Sequence, residues 1–68
     1  MKVLVNGEEL ELEDGASAHD AAVAAGVEPE RRGVAVALDG EVVPRAEWGA
    51  RAVGDGAAVE VLTAMQGG

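Results

Sequence analysis

Apolar and polar residues alternate from the start of the chain. Val3 and Val5 project to one side of an extended backbone, Lys2 and Leu4 to the other. Asn6-Gly7 follows at once, a pair suited to the type I′ turn, whose two central residues need positive φ. Leu10 and Leu12 then alternate with Glu9, Glu11 and Glu13. Residues 2–6 and 8–13 thus predict an antiparallel hairpin with one buried face and one acidic, solvated face. Asp14-Gly15 closes it, and the period changes. Ser17 suits a helix N-cap, with Asp20 three residues on, placed to reach back to the cap. The stretch from Ala18 to Ala25 predicts a short helix, with Ala18, Ala21, Ala22 and Ala25 on one face and Gly26 as the left-handed residue that ends it. A face made of methyl groups requires that the helix lie close to whatever it covers.

Glu28-Pro29-Glu30-Arg31-Arg32-Gly33 is polar and bracketed by Pro and Gly, so it reads as a loop. Val34, Val36 and Leu38 begin a second alternation, Asp39-Gly40 turns it, and Glu41, Val42 and Val43 return until Pro44, which cannot donate to a ladder. Arg45 to Trp48 fits a single helical turn, and Gly49 to Gly56 a glycine-rich loop. Ala57 to Leu62 fits a last strand, with Val59 and Val61 on one face and Glu60 on the other. The order strand, strand, helix, strand, strand, short turn, strand predicts an α+β class. It fits a β-grasp, or ubiquitin-like, single domain: a mixed sheet of about five strands with one main helix. The domain is placed at residues 1–62, with a flexible C-terminal tail, residues 63–68, ending in Gly67-Gly68.

Composition narrows the chemistry. A chain of 68 residues buries only about 60% of its extended surface, which leaves little room for an enclosed substrate pocket. Apolar content is 49%, but much of it is Ala and Val, and Trp48 is the only aromatic residue. The core is therefore expected to be thin. Thirteen acids against five bases give a formal charge of −8, which argues against nucleic acid and for partners with basic surfaces. There is no cysteine, hence no disulfide, thiolate metal site or cysteine nucleophile, and a cytoplasmic location is expected. No stretch has the length and apolarity of a signal peptide or membrane span, and a free monomer is expected.

Few side chains invite a catalytic role. His19 is the single histidine and stands early in the predicted helix without metal-binding or triad partners, so it reads as a solvated helix residue. Glu8, Glu9, Glu11, Glu13 and Asp14 read as solvated carboxylates rather than a cation site. Arg31-Arg32 reads as a solvated pair. Trp48 fits a core plug better than a partner hot spot. Asp39-Gly40 and Asp55-Gly56 supply turns, without the strand-to-helix context and lysine of a phosphate loop.

The tail, Thr63-Ala64-Met65-Gln66-Gly67-Gly68, carries the candidate chemistry. A carboxylate to be activated on ATP must reach a narrow, water-excluding site, and glycine permits a close backbone approach. The chain resembles the ThiS family of sulfur carriers of thiamin thiazole biosynthesis. The matching segments are Val3-Leu4-Val5-Asn6-Gly7-Glu8, Val34 to Arg45 with its Val42-Val43-Pro44-Arg45, Glu47-Trp48, and Asp55 to Gly68. Departures are Ala57, where the family usually has an acid, and Ala18, Ala21 and Ala22, where it usually has larger aliphatic residues.

The resemblance implies a carrier that catalyses nothing itself and holds no cofactor. A ThiF-type adenylyltransferase would activate the Gly68 carboxylate with ATP. A cysteine desulfurase persulfide relay would supply sulfur, and the resulting thiocarboxylate would serve thiazole synthase, ThiG. Gly68 and Gly67 map onto the sulfur-carrying terminus; Ala64, Met65 and Gln66 belong to the tail inserted into partner sites. A docking face is expected on the sheet beside the tail, near Val42, Val43 and the last strand. Two other roles share the Gly-Gly ending: the sulfur carrier subunit of molybdopterin synthase and a ubiquitin-like protein modifier. An interaction module with an incidental Gly-Gly is a third possibility.

Overall fold

The computed structural model describes residues 1–64. Strands β1 (Lys2–Val5) and β2 (Glu8–Glu11) form the first hairpin, and β3 (Val34–Leu38) and β4 (Glu41–Val43) the second. Helix α1 (Ala18–Ala24) lies between the hairpins. A 3-10 turn (Arg45–Glu47) and strand β5 (Ala58–Thr63) follow. The five strands make one sheet in the order β2-β1-β5-β3-β4. The last strand is thus the central one, parallel to β1 and antiparallel to β3. This is the mixed sheet with one helix that the pattern predicts, a β-grasp domain.

Both predicted hairpin turns form with positive φ at each central residue: 52° and 82° at Asn6 and Gly7, 48° and 85° at Asp39 and Gly40. Their first residues also reach β5. The Asp39 N–H donates to the Ala58 carbonyl at 2.7 Å, and the Ala58 N–H donates to Asp39 Oδ1 at 2.9 Å. Asn6 donates its backbone N–H to the Val59 carbonyl at 2.9 Å and bonds to Val61 through both polar atoms of its side chain. The turn chemistry visible in the sequence therefore also fastens the central strand.

The helix begins on a complete capping box. The Ser17 N–H donates to Asp20 Oδ2 at 2.9 Å, and the Asp20 N–H donates to Ser17 Oγ at 3.2 Å. Two further first-turn donors, the N–H groups of Ala18 and His19, bond to the carbonyls of Arg51 (2.9 Å) and Trp48 (3.2 Å). The stretch read as plain loop thus holds a short bridge, Ser17 with Ala52. At the other end the Gly26 N–H bonds to the Val23 carbonyl and the Val27 N–H to the Ala22 carbonyl, with φ of 84° at Gly26. This is the Schellman arrangement expected of a glycine there. Ala25 caps the helix rather than continuing it.

One face of the sheet is buried. Val3, Val36 and Val59, one on each of the three central strands, are its largest fully buried side chains. Ala18, Ala21 and Ala22 cover them with no exposed surface at all. Methyl side chains on the covering face leave little between a helix backbone and the sheet it packs on. Trp48 fills the remaining space, 3% exposed, and its Nε1–H donates to the Val43 carbonyl at 2.8 Å. A buried indole needs such a partner.

Three strands differ from expectation at their boundaries. β1 stops at Val5 rather than Asn6, which takes the first central position of the turn. β2 stops at Glu11, paired with Lys2, instead of reaching Glu13; Leu12 still exchanges hydrogen bonds with Met1, and Glu13 enters the turn, where its carbonyl accepts the Ala16 N–H. β5 runs from Ala58 to Thr63 rather than from Ala57 to Leu62. Ala57 is held in the preceding turn by its N–H bond to the Gly54 carbonyl, and Thr63 pairs with Val34.

Candidate functional site

Central placement of β5 decides where the chain leaves the domain. β5 runs antiparallel to β3, so its end meets the start of β3: Thr63 pairs with Val34 and Leu62 with Ala35. One residue further, the Ala64 N–H donates to the Gly33 carbonyl at 2.8 Å. Ladder bonding thus reaches two residues past the expected end of the strand. Of the expected tail residues, Ala64 is exposed at this exit; Met65, Gln66, Gly67 and Gly68 lie outside the described residues.

The sheet face away from the helix carries exposed apolar residues, Leu62 next to the exit and Leu4 at the opposite end of β5, beside Ala58. Leu4, Val42 and Leu62 are 40%, 70% and 60% exposed. The register sets Leu62 beside Ala35, and Ala37 between Val42 and Glu60. Val43, also expected on this face, is buried with 2% exposure: strand alternation turns it toward the core, where its carbonyl receives the Trp48 indole.

The remaining candidates are dispersed. His19 is exposed on α1. No group of three His, Cys, Asp or Glu side chains able to hold a metal ion occurs among the described residues. Glu8, Glu9, Glu11, Glu13 and Asp14 are all exposed. Two of them face the Met1 amine, Glu11 at 3.0 Å and Asp14 at 3.6 Å. Hydrogen bonding to Glu11 is the main reason the amine's pKa is held above its ordinary value of 8.0; burial opposes it, and the charges of Glu11 and Asp14 add to it. No helix among the described residues is long and apolar enough to cross a membrane.

Arg45 has a role that local sequence could not show. Its guanidinium lies 4.5 Å from the Trp48 ring centroid, stacked over it. It also donates to two carbonyls of the loop before β3, from Nη1 to Pro29 and from Nη2 to Arg31, the latter at 2.9 Å. A planar fork with several donors suits that bridging geometry. Sequence offered only a weak signal, an arginine directly after a strand-ending proline and three residues before the lone tryptophan. Arg31 and Arg32 are exposed, as expected of a solvated pair.

Fold and exit together define a ubiquitin-like β-grasp domain whose last strand delivers its C-terminal segment from the centre of the sheet. The ThiS family model matches residues 3–68, and the chain belongs to the ThiS family. It is similar to the crystal structure of a thiamine biosynthesis protein (ThiS) from Geobacter metallireducens, at 34% identity over 100% of both chains and a TM-score of 0.78. It is likewise similar to the NMR solution structure of a thiamine biosynthesis protein from Geobacter metallireducens, at 34% identity, covering 100% of this chain and 88% of that one, with a TM-score of 0.76. No curated protein gives a significant match.

Proposed function

We propose that the protein is a sulfur carrier for thiamin thiazole formation, acting through the Gly68 carboxylate and having no catalytic activity of its own. The observation that carries this reading is the family match through Gly68 on a domain whose central strand runs out toward that end. In the proposed sequence a carboxylate oxygen of Gly68 attacks the α-phosphorus of ATP on a ThiF-type adenylyltransferase. Pyrophosphate leaves, and an acyl adenylate remains. A persulfide sulfur, supplied by a cysteine desulfurase relay, attacks the acyl carbon and expels AMP. A second thiol then cleaves the sulfur–sulfur bond, which leaves a thiocarboxylate on Gly68 and a disulfide on the donor. Thiazole synthase, ThiG, receives the sulfur. ATP is the partner's substrate, and the carrier holds no cofactor. The need for thiols and ATP places this chemistry in the cytoplasm.

The exposed Leu4, Val42 and Leu62 support docking through the outer sheet face. Gly67 and Gly68, with Met65 and Gln66 before them, form the segment proposed to enter the partner's site. Intact mass spectrometry after incubation with ATP, a ThiF-type enzyme and a persulfide donor tests the reading. The expected product has one terminal oxygen replaced by sulfur. Adding one residue after Gly68 should abolish it with the fold intact. Product formation by that extended chain, or none from the unaltered chain, overturns the reading.

A further inference from the structure

The exit of β5 is built more firmly than the end of a strand requires. Gly33 accepts the Ala64 N–H at 2.8 Å and has φ of 82°. A Cβ placed on Gly33 would lie 3.0 Å from the Ala64 Cβ, 3.5 Å from its nitrogen and 3.7 Å from its Cα. Position 33 is thus glycine for two separate reasons: a left-handed backbone and a close approach by the departing chain. Gly26 offers the comparison, with φ of 84° but nothing within 4 Å of an added Cβ.

Gly33 is held from behind. Its loop lies between α1 and β3, and Arg45 ties the Pro29 and Arg31 carbonyls of that loop together. Arg45 rests on Trp48, which is anchored in the core through Val43. A continuous set of contacts therefore runs from the core through Trp48, Arg45 and the loop to Gly33 and Ala64.

Resting on the carrier reading above, we infer that Gly33 and Arg45 are positioning residues for the terminal carboxylate: they fix the direction in which the chain leaves the sheet at Ala64. Gly68 follows Ala64 by four residues. Four residues reach at most about 14 Å, so a change of direction of about 20° at the base moves the limit of that reach by about 5 Å. Misplacement of a reacting atom by about 1 Å can cost about a hundredfold in rate.

The test compares Gly33→Ala with Gly26→Ala in adenylation by a ThiF-type enzyme. Both variants place a side chain on a left-handed backbone, so that strain is common to the two, and kcat is compared at a temperature where circular dichroism shows each variant folded. Gly33→Ala is expected to have a kcat about tenfold below that of Gly26→Ala, with KM for the carrier unchanged, because docking is preserved and presentation is not. Exchange of the Ala64 amide hydrogen should be faster in Gly33→Ala and unchanged in Gly26→Ala. Arg45→Lys keeps the charge but loses the fork, and should lower kcat in the same way if Gly33→Ala does not fold. Equal kcat in the Gly33 and Gly26 variants, or an unchanged kcat in Arg45→Lys, overturns the positioning role while the carrier reading stands. An unaltered chain that is never adenylated overturns the carrier reading, and the positioning role with it.

Discussion

The Asn6 carboxamide takes the place of a missing strand residue beside Val61. β1 ends at Val5, yet β5 runs on, and the Asn6 side chain bonds both polar groups of the Val61 backbone. Its Nδ2 donates to the carbonyl at 3.1 Å, and the Val61 N–H donates to its Oδ1 at 2.8 Å. One residue thus starts a hairpin and completes the parallel ladder of the central strand, 55 positions away in sequence. Asn6→Gly isolates this function, since glycine accepts the φ of 52° at that position. Losing both bonds should cost about 1–3 kcal/mol, seen as a melting temperature lower by roughly 4–8 °C for each kcal/mol. An unchanged melting temperature would show the bonds to be idle.

The alanine face of α1 yields a second prediction. Ala22 has no exposed surface, while Val23 beside it is 54% exposed. Ala22→Leu inserts bulk on the fully buried face of the helix, and should destabilise by about 1–3 kcal/mol through overpacking. Val23→Leu adds a methylene to solvent and should change stability by less than about 0.5 kcal/mol. Urea midpoints of the two variants check this, and equal midpoints would mean the helix has room to move.

How far these features could be read in advance depended on range. Both hairpin turns, the capping box and the glycine after α1 follow from neighbours within six residues, and each is found where the pattern puts it. The buried faces follow from strand alternation, which also turns Val43 inward, away from the expected outer face, since it pairs with the buried Val36. Contacts made by topology left no local trace. Nothing near Asp55 indicates that it accepts the Lys2 N–H at 3.0 Å, 53 positions away, and nothing near Arg45 indicates a loop 14 to 16 positions back. The alternation does not carry the last strand past Leu62, since Thr63 is polar and the Ala64 methyl is too small to mark a face. Their backbone pairs regardless, since ladder bonds need no particular side chain.

The N-terminal amine makes stability depend on alkaline pH. Glu11 and Asp14 hold its pKa above the ordinary 8.0 in the folded chain. A pKa raised by folding contributes stability that is fully present below the unfolded value and is lost as pH rises through the folded value. Melting temperature should therefore decline as pH passes above 8, in a window where the carboxylates no longer titrate. Glu11→Gln removes the principal partner and should flatten that decline. A decline of the same size in Glu11→Gln would assign it to other groups.

Charge should set the speed of docking on the proposed partner. A formal charge of −8 on 68 residues steers the chain toward basic surfaces, an attraction that weakens as the Debye length shrinks from about 30 Å at 0.01 M salt to about 10 Å at 0.1 M. The association rate with a ThiF-type enzyme, followed by stopped flow, should fall about tenfold over that range, with a smaller change in the dissociation rate. Position matters as well as number. Glu60 is exposed on the outer face, in register with Ala37 and two residues from Leu62, whereas Glu13 follows the end of β2 at the sheet's edge. Both substitutions, Glu60→Gln and Glu13→Gln, remove one charge. If the outer face docks, Glu60→Gln should slow association more than Glu13→Gln does. Equal slowing would mean that only net charge steers the encounter, and no dependence on salt would remove the electrostatic account altogether.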